Sequence, residues 1–215
     1  MVYQATDSTR AKKSGTRNRI LKEARLLVSQ GGFGAASIAE VARCSGIATG
    51  TIYRHFPSKA ELVAEIFRHA TEHELHEVMR SAQIEATASE RMRRAVRTFA
   101  ERALQGPRLA YALIAEPVDP LVERERLSYR FAYAEHFEDL IQEGIEAGEF
   151  APQNVAITAA ALVGMLSEAL VGPLAPYANR QDETVMERQA MTDKQRDELL
   201  QEIIALSLRA LGGKT

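Results

Sequence analysis

The sequence predicts an all-α protein with two domains and about nine helices. Apolar residues recur at helical spacing in nearly every segment, whereas alternating β-branched runs and Asn-Gly or Asp-Gly hairpin signals are missing from the sequence. Several segments open with Ser or Thr followed three residues later by Glu or Gln, which is typical of a helix start. Residues 1–60 carry ten Lys/Arg against three Asp/Glu, a net +7, and residues 61–215 carry 17 against 26, a net −9. This split indicates a basic domain joined to an acidic one.

Composition excludes several classes of protein. With 46% hydrophobic and 26% charged residues over 215 positions, the chain is expected to fold rather than to be disordered throughout. Cys44 is the single cysteine, so no intrachain disulfide forms, and no zinc-ligand spacing occurs. The longest apolar stretch, around residues 156–170, is interrupted and shorter than a membrane span, and the polar N-terminus shows no secretory signal. We therefore expect a cytoplasmic protein with no membrane partner.

The first sixty residues are predicted to contain three helices after a flexible basic arm over residues 1–15. The first helix is expected at about Thr16–Ser29 and to end at Gly31-Gly32. The second starts at Ser37, whose capping box includes Glu40, and ends at Ser45-Gly46 after two turns. The third occupies about Ala48–His55, because Pro57 prevents its continuation.

The acidic part is predicted to contain six helices. Ser58 starts the fourth helix of the chain, which runs to about Arg80. The others are predicted at about Ser89–Leu104, from Pro107 to Glu116-Pro117, from Asp119-Pro120 to Gly148, at about Asn154–Val171 and from Thr192 to about Leu211. A polar loop is expected over residues 173–192.

The second and third helices are short and are joined by a tight turn at Gly46, the arrangement of a helix-turn-helix. In that motif the second helix enters the major groove of DNA. Thr hydroxyls and methyls can read base edges, Arg can read guanine or bind phosphate, Tyr, His and Lys suit phosphate, and Gly permits a close approach. The candidate DNA contacts are Ser37, Thr49, Gly50, Thr51, Tyr53, Arg54, His55 and Lys59.

The stretch from Gly32 to Leu62, GFGAASIAEVARCSGIATGTIYRHFPSKAEL, resembles the DNA-binding domain of the tetracycline-repressor (TetR) family of bacterial transcription regulators. The resemblance is strong over about residues 14–65. Where the family often has Thr and then Ser or Lys, this chain has Ala36, Ala48 and Thr49, which leaves the base preference open. The resemblance implies a DNA-binding domain at 16–62 and a helical ligand-binding and dimerisation domain at 63–215. It also implies a homodimer on a palindromic DNA operator, usually a repressor, which a small effector releases.

Two apolar helices near the C-terminus are expected to form a four-helix dimer interface, although both are also compatible with ordinary core. The candidate interface residues are Ala160, Ala161, Leu162, Gly164, Leu200, Ile203 and Ile204. Aromatic side chains and one Met are candidates for the effector pocket, with ordinary core as the alternative. They are Phe99, Tyr111, Phe131, Tyr133, Phe137 and Met165. The aliphatic bias and the absence of Trp favour a small apolar or acyl-bearing effector.

Other functions have less support. The sequence lacks a P-loop, a G-x-G-x-x-G after a strand, G-x-S-x-G and H-E-x-x-H, so neither catalytic residues nor a cofactor is expected. His69, His73 and His76 have a spacing that can hold a metal, but a solvated helix edge is the better interpretation and no metal site is predicted. The alternative to a regulator is a helical protein–protein adaptor with a basic N-terminal surface.

Overall fold

A computed structural model describes residues 7–175 and 191–212, with side chains from residue 13. The described residues contain nine helices and no strand, which confirms the all-α prediction. The helices are α1 (Asp7–Ala35), α2 (Ile38–Ser45), α3 (Thr49–His55), α4 (Lys59–Ser81), α5 (Ala88–Gln105), α6 (Pro107–Ile114), α7 (Pro120–Glu146), α8 (Val155–Leu174) and α9 (Asp193–Ala210).

Helix α1 is longer than the sequence suggested. It begins at Asp7, so residues 7–15 continue the helix instead of forming an arm, and residues 1–6 lie outside the described residues. The segment has no proline and several good helix formers, which allows the extension. The helix was predicted to end at Gly31-Gly32, and it has a kink at Gly32, where φ is +73° and ψ −175°. One more turn, through Ala35, follows this kink.

Helices α1, α2, α3 and the first half of α4 enclose one hydrophobic core, which we call the head core. Its centre includes Ile20, Val41, Ile52, Phe56 and Phe67, each no more than 2% exposed. Local signals fix the short helices around it. Ser37 and Ser58 cap α2 and α4 as predicted, through hydroxyls that accept from the amides of Glu40 and Glu61.

A second hydrophobic core, the body core, lies among α4, α5, α7, α8 and α9. Thr87, Asp119 and Asn154 cap α5, α7 and α8, and Thr192 and Gln195 form the predicted capping box of α9. Helix α8 passes the predicted stop at Gly172-Pro173 and ends at Leu174, which is buried in the body core. Packing of Leu174 therefore keeps the last turn helical. Residues 176–190 of the predicted loop lie outside the described residues.

The two hydrophobic cores share helix α4, and the domain boundary at residue 62 stays a prediction. Helix α4 contributes Leu62 to Phe67 to the head core and Val78 to the body core. Ala112 of α6 and Val122 of α7 also belong to the head core. A single helix is therefore shared by both cores, and the α6–α7 region packs on the head.

Helix α8 is the one described helix that is long and apolar enough to cross a membrane by length and composition. A core helix passes the same test, and α8 buries Leu162, Leu166 and Leu170 against the rest of the chain.

Candidate nucleic-acid interface and effector cavity

The turn between α2 and α3 positions the recognition surface. Gly46 adopts φ +63°, and the amides of Gly46 and Ile47 bond back to carbonyls of α2. Ile47, directly after this turn, is buried in the head core. Helix α3 therefore leaves the turn with Ile52 facing the core and its opposite face directed outward.

Five candidate DNA contacts are exposed, namely Thr49, Gly50, Tyr53, Arg54 and Lys59. Thr51, His55 and Ser37 are partly exposed, and the Ser37 hydroxyl already caps α2. The capping box also predicted a contact from the Glu40 side chain back to the start of α2. Instead, the Glu40 carboxylate pairs with Arg43 at 2.6 Å. The structure thus leaves the predicted contacts wholly or partly exposed, and their role in DNA binding stays a prediction.

Charge on this surface is only partly compensated within the chain. Arg17 pairs with Glu65 at 2.7 Å and lies over the Phe56 ring, so it links α1 to α4. Among the described residues, Arg54 and Lys59 have neither a hydrogen bond nor an ion pair. These two cations are therefore available to an external anion, as phosphate contacts require.

Gly50 lies within α3, where glycine is unfavourable. A Cβ at this position would have no atom within 4 Å, and the backbone does not adopt positive φ. Nothing inside the chain requires glycine here. An external backbone that approaches closely would require it.

The His55 ring is neutral at pH 7. Burial, Lys13 and Arg17 together lower the pKa of its imidazole below the ordinary value of 6.5. Its Nδ1 is buried and has no hydrogen-bond partner. Burial and the neighbouring cations thus favour the neutral form of the His55 ring.

A cavity of about 340 Å³ lies between α4, α5, α6, α7 and α8, within the range of small-molecule sites. Helix α4 lines it with a stripe at spacings of four, three and four residues: Phe67, Thr71, Glu74 and Val78. The facing wall of α7 comprises Arg126, Tyr129, Arg130 and Tyr133. Since Phe67 and Val78 belong to the two different cores, the cavity lies where head and body meet.

Of the predicted pocket residues, Phe99 and Tyr133 lie on the cavity wall, with ring centroids 5.6 Å apart. Burial raises the pKa of the Tyr133 phenol, which stays neutral. The other four do not line this cavity. Phe137 is fully buried in the body core, Tyr111 and Met165 pack against that core, and Phe131 points outward with 62% of its surface exposed. Aromatic spacing alone did not separate core, surface and cavity.

Sequence reasoning missed the polar residues of the wall, chiefly Thr71, Arg126 and Arg130. Thr71 is the one polar residue among the buried residues of α4, one helical turn after Phe67, and a polar residue at such a position is a signal that the sequence offers. Arg126 gives no such signal, because it looks like any surface arginine in the sequence. In the structure it is 8% exposed.

Arg126 connects the cavity to the end of α6. Its guanidinium donates to the carbonyls of Leu113 (2.9 Å), Ala112 (3.2 Å) and Glu116 (2.8 Å), and it pairs with Glu123. Burial lowers the pKa of Arg126 from its ordinary value, and the group remains cationic.

Glu116 in turn touches the head. Its carboxylate accepts from the amides of Phe33 (3.1 Å) and Gly34 (3.3 Å), directly after the kink in α1. Gly32 has positive φ, and a Cβ there would lie 2.5 Å from the same carboxylate, so both features favour glycine at this position. The wall of the cavity is thus connected by hydrogen bonds to the turn that precedes α2.

The histidines of α4 do not assemble a site. His69 lies 3.5 Å from Glu65, and His73 lies 3.2 Å from Arg102, which also holds Glu74. His69, His73 and His76 are all exposed. Among the described residues, no group of three His, Cys, Asp or Glu side chains is placed to hold a metal ion.

The predicted dimer residues fall into two sets. Ala160, Ala161 and Gly164 are exposed on α8, together with Ile157, which is 69% exposed. Leu162, Leu200, Ile203 and Ile204 are buried in the body core of their own chain and are therefore not on a free surface. The exposed apolar set, which we call the α8 face, has helical spacing along one side of the helix.

Sequence comparison identifies relatives of both parts of the chain. The profile described as "Bacterial regulatory proteins, tetR family" matches residues 20–66, and that described as "Tetracyclin repressor-like, C-terminal domain" matches residues 85–170. The transcriptional repressor KstR2 of Rhodococcus jostii is 30% identical over 136 residues, which span 63% of this chain and 66% of KstR2. The transcriptional regulator AcrR of Shigella flexneri is 39% identical over 59 residues, 27% of each chain.

Solved structures share the fold over nearly the whole length. The fatty acid degradation regulator FadR of Bacillus halodurans has a TM-score of 0.72 at 16% identity, covering 93% of this chain and 97% of FadR. FadR of Bacillus subtilis, solved in complex with stearoyl-CoA, has a TM-score of 0.70 at 18% identity, with 92% and 98% covered. RolR in complex with resorcinol has a TM-score of 0.69 at 19% identity, with 95% and 91% covered. Two such different ligands show that the fold alone does not define an effector.

Proposed function

Because the chain belongs to the TetR family of bacterial transcriptional regulators, we propose that it binds double-stranded DNA through α3 in the bacterial cytoplasm. The observation that carries this proposal is the exposed face of α3. Thr49, Tyr53 and Arg54 project outward on it, and Gly50 has no internal reason to be glycine. A protein–protein adaptor would require neither the glycine nor the unpaired cations.

The proposed unit on DNA is a homodimer on a palindromic operator. A two-fold dimer presents two copies of α3, and these must lie about 34 Å apart to enter successive major grooves. The α8 face supports dimerisation, because an exposed apolar helix side gains free energy when a second copy covers it.

We assign the cavity to a small effector with apolar or acyl character that releases the operator, so that the protein acts as a repressor. Support comes from the apolar wall of the cavity and from its position between the two cores. Stearoyl-CoA in B. subtilis FadR is compatible with an acyl-bearing effector. A ligand that prefers the released arrangement must do so by ~5.5 kcal/mol to shift the DNA-bound fraction from 99% to 1%.

The test is fluorescence anisotropy with a labelled duplex from the region upstream of this gene and a scrambled duplex of equal length. We expect tighter binding to the upstream duplex and a steep loss of affinity with salt. Lys59→Ala is expected to reduce the salt slope by about 1 per half-site, with equal weakening on both duplexes, because a phosphate contact carries no sequence information.

Arg196→Ala serves as the control, since Arg196 lies on α9 in the body. An adaptor would show no salt-dependent DNA binding. A Lys59→Ala variant with altered base preference but unchanged affinity for the scrambled duplex would contradict the role of Lys59.

A further inference from the structure

We infer that the cavity recognises an apolar molecule that carries an acidic group, and that Thr71 and Arg130 bind this group. The inference rests on the proposed effector site and specifies the chemistry of its ligand. Its first basis is charge. The wall contains three arginines and one carboxylate, a net +2, although residues 61–215 as a whole carry a net −9. A cationic wall in an acidic domain favours an anionic ligand.

Two of the three arginines are already engaged within the chain. Arg102 holds the Glu74 carboxylate through two nitrogens, so this pair is neutral. Arg126 uses four of its five N–H groups on three carbonyls and Glu123. Arg130 is exposed at the cavity and has neither an ion pair nor a hydrogen bond with the described residues. Of the three guanidinium charges on the wall, that of Arg130 is therefore the one without a partner among the described residues.

Thr71 is the second, independent observation. This side chain is 7% exposed and lines the cavity, and its Oγ1 is buried without a hydrogen-bond partner. An unsatisfied buried hydroxyl destabilises the folded state, so valine would be more stable at this position unless a ligand completes the bond. A carboxylate oxygen is an acceptor for this O–H group.

Helix packing places Thr71 and Arg130 at neighbouring levels. The Arg126 guanidinium lies 5.9 Å from the centre of the Phe67 ring, which aligns α7 with α4 at that point. Thr71 follows Phe67 by one helical turn, and Arg130 follows Arg126 by one turn. Farther along both helices the wall continues through the paired Glu74 and Arg102 to Val78 and Tyr133. A ligand can therefore place its acid between Thr71 and Arg130 and its apolar part toward Val78.

The experiment is calorimetric titration of the full-length protein with decanoate and with 1-decanol, which share the apolar chain and differ in charge. We expect decanoate to bind at least about tenfold more tightly, since its carboxylate can form a charge-assisted hydrogen bond and the alcohol cannot. Arg130→Met should remove most of this difference. Thr71→Val should lower decanoate affinity about fivefold and keep or raise the melting temperature, because an unsatisfied hydroxyl is lost.

Arg124→Met is the matched control, because Arg124 is an exposed arginine on the same helix but does not line the cavity. Decanoyl-coenzyme A distinguishes two sources of the negative charge, a free carboxylate and the phosphates of coenzyme A. Binding of a free acid depends on both Thr71 and Arg130. Binding of a thioester whose phosphates stay at the mouth of the cavity depends on Arg130 alone.

Equal affinities for decanoate and decanol, or no binding of either, would overturn the inference. Equal losses in Arg130→Met and Arg124→Met would also overturn it. DNA affinity is measured for the same proteins without ligand. If the unaltered protein fails to bind DNA, the proposed function fails, whatever the titrations show.

Discussion

At the scale of single residues, Gly50 separates the stability of the head from its proposed DNA binding. A Cβ at this position meets no atom of the chain, and alanine is the better helix former. We expect Gly50→Ala to stabilise the protein by up to about 1 kcal/mol while weakening binding to the upstream duplex at least about tenfold. Thermal unfolding and anisotropy measure the two effects.

Gly172→Ala provides the control for this substitution, because Gly172 also has open space around it but lies at the far end of α8. It should leave DNA affinity unchanged. If Gly50→Ala binds DNA as tightly as the unaltered protein, then α3 does not approach DNA closely at this position.

His55 predicts how the stability of the head depends on pH. The folded pKa of its imidazole lies below the ordinary value of 6.5, so the folded state resists protonation and the unfolded state does not. Its contribution to stability is therefore complete above pH 6.5 and is lost as the pH falls through the folded pKa. Glu65 does not interfere between pH 7.5 and 5.5, because its hydrogen bond to Arg17 lowers its pKa below 4.5.

We expect the melting temperature to fall between pH 7.5 and 5.5, and His55→Gln to reduce that fall. The matched control is His136→Gln, the substitution of an exposed histidine on α7, outside the head. Melting curves in buffers of constant ionic strength provide the measurement. A His55→Gln variant with the unaltered pH dependence would show that another group causes it.

At the scale of elements, the turn after α1 is held by the α6–α7 connection. Gly32 combines positive φ with a Cβ position 2.5 Å from the Glu116 carboxylate. We expect Gly32→Ala to destabilise the protein by about 1–3 kcal/mol, since it introduces both strain and a clash that displaces Glu116. Denaturant unfolding measures the loss.

Gly34→Ala is the control, because Gly34 lies two residues away with open space around its Cβ position. Gly34→Ala should lower the free energy of unfolding much less than Gly32→Ala does. Comparable losses in the two variants would contradict a special requirement for glycine at position 32.

At the scale of the whole molecule, the α8 face is the surface on which the proposed dimer depends. We expect the protein to be dimeric at micromolar concentration. Ile157→Glu and Gly164→Asp should each produce monomers, because an unpaired charge buried in an apolar interface is costly. Sedimentation velocity measures the proportions of monomer and dimer. Leu162 is unsuitable for this test, since it is buried in the core of its own chain and a charge there would destabilise that core as well.

Leu127→Glu supplies the control, because Leu127 is an exposed leucine on α7, outside the α8 face. It should leave the dimer intact. A monomeric unaltered protein, or dimers that survive both α8 substitutions, would move the interface away from this face.

The sequence determined the local structure of this protein because the signals involved are local. Ser37, Ser58, Asp119 and Thr192 start their helices whatever the rest of the chain does, since a side-chain oxygen needs only an amide two or three residues away. The turn at Gly46 and the outward face of α3 likewise follow from signals between residues close in the sequence. The family resemblance depended on that stretch, and the comparisons confirm the family.

Tertiary structure decided what each amphipathic or aromatic residue is used for. Phe99 lines the cavity, Phe137 fills the body core and Phe131 is exposed, although all three look alike in the sequence. Leu162 and Ala161 are neighbours on α8, yet the first is buried and the second is exposed. Arg126 is buried only because α6 ends against it. Burial depends on which helix packs opposite, and contacts between residues distant in the chain decide that.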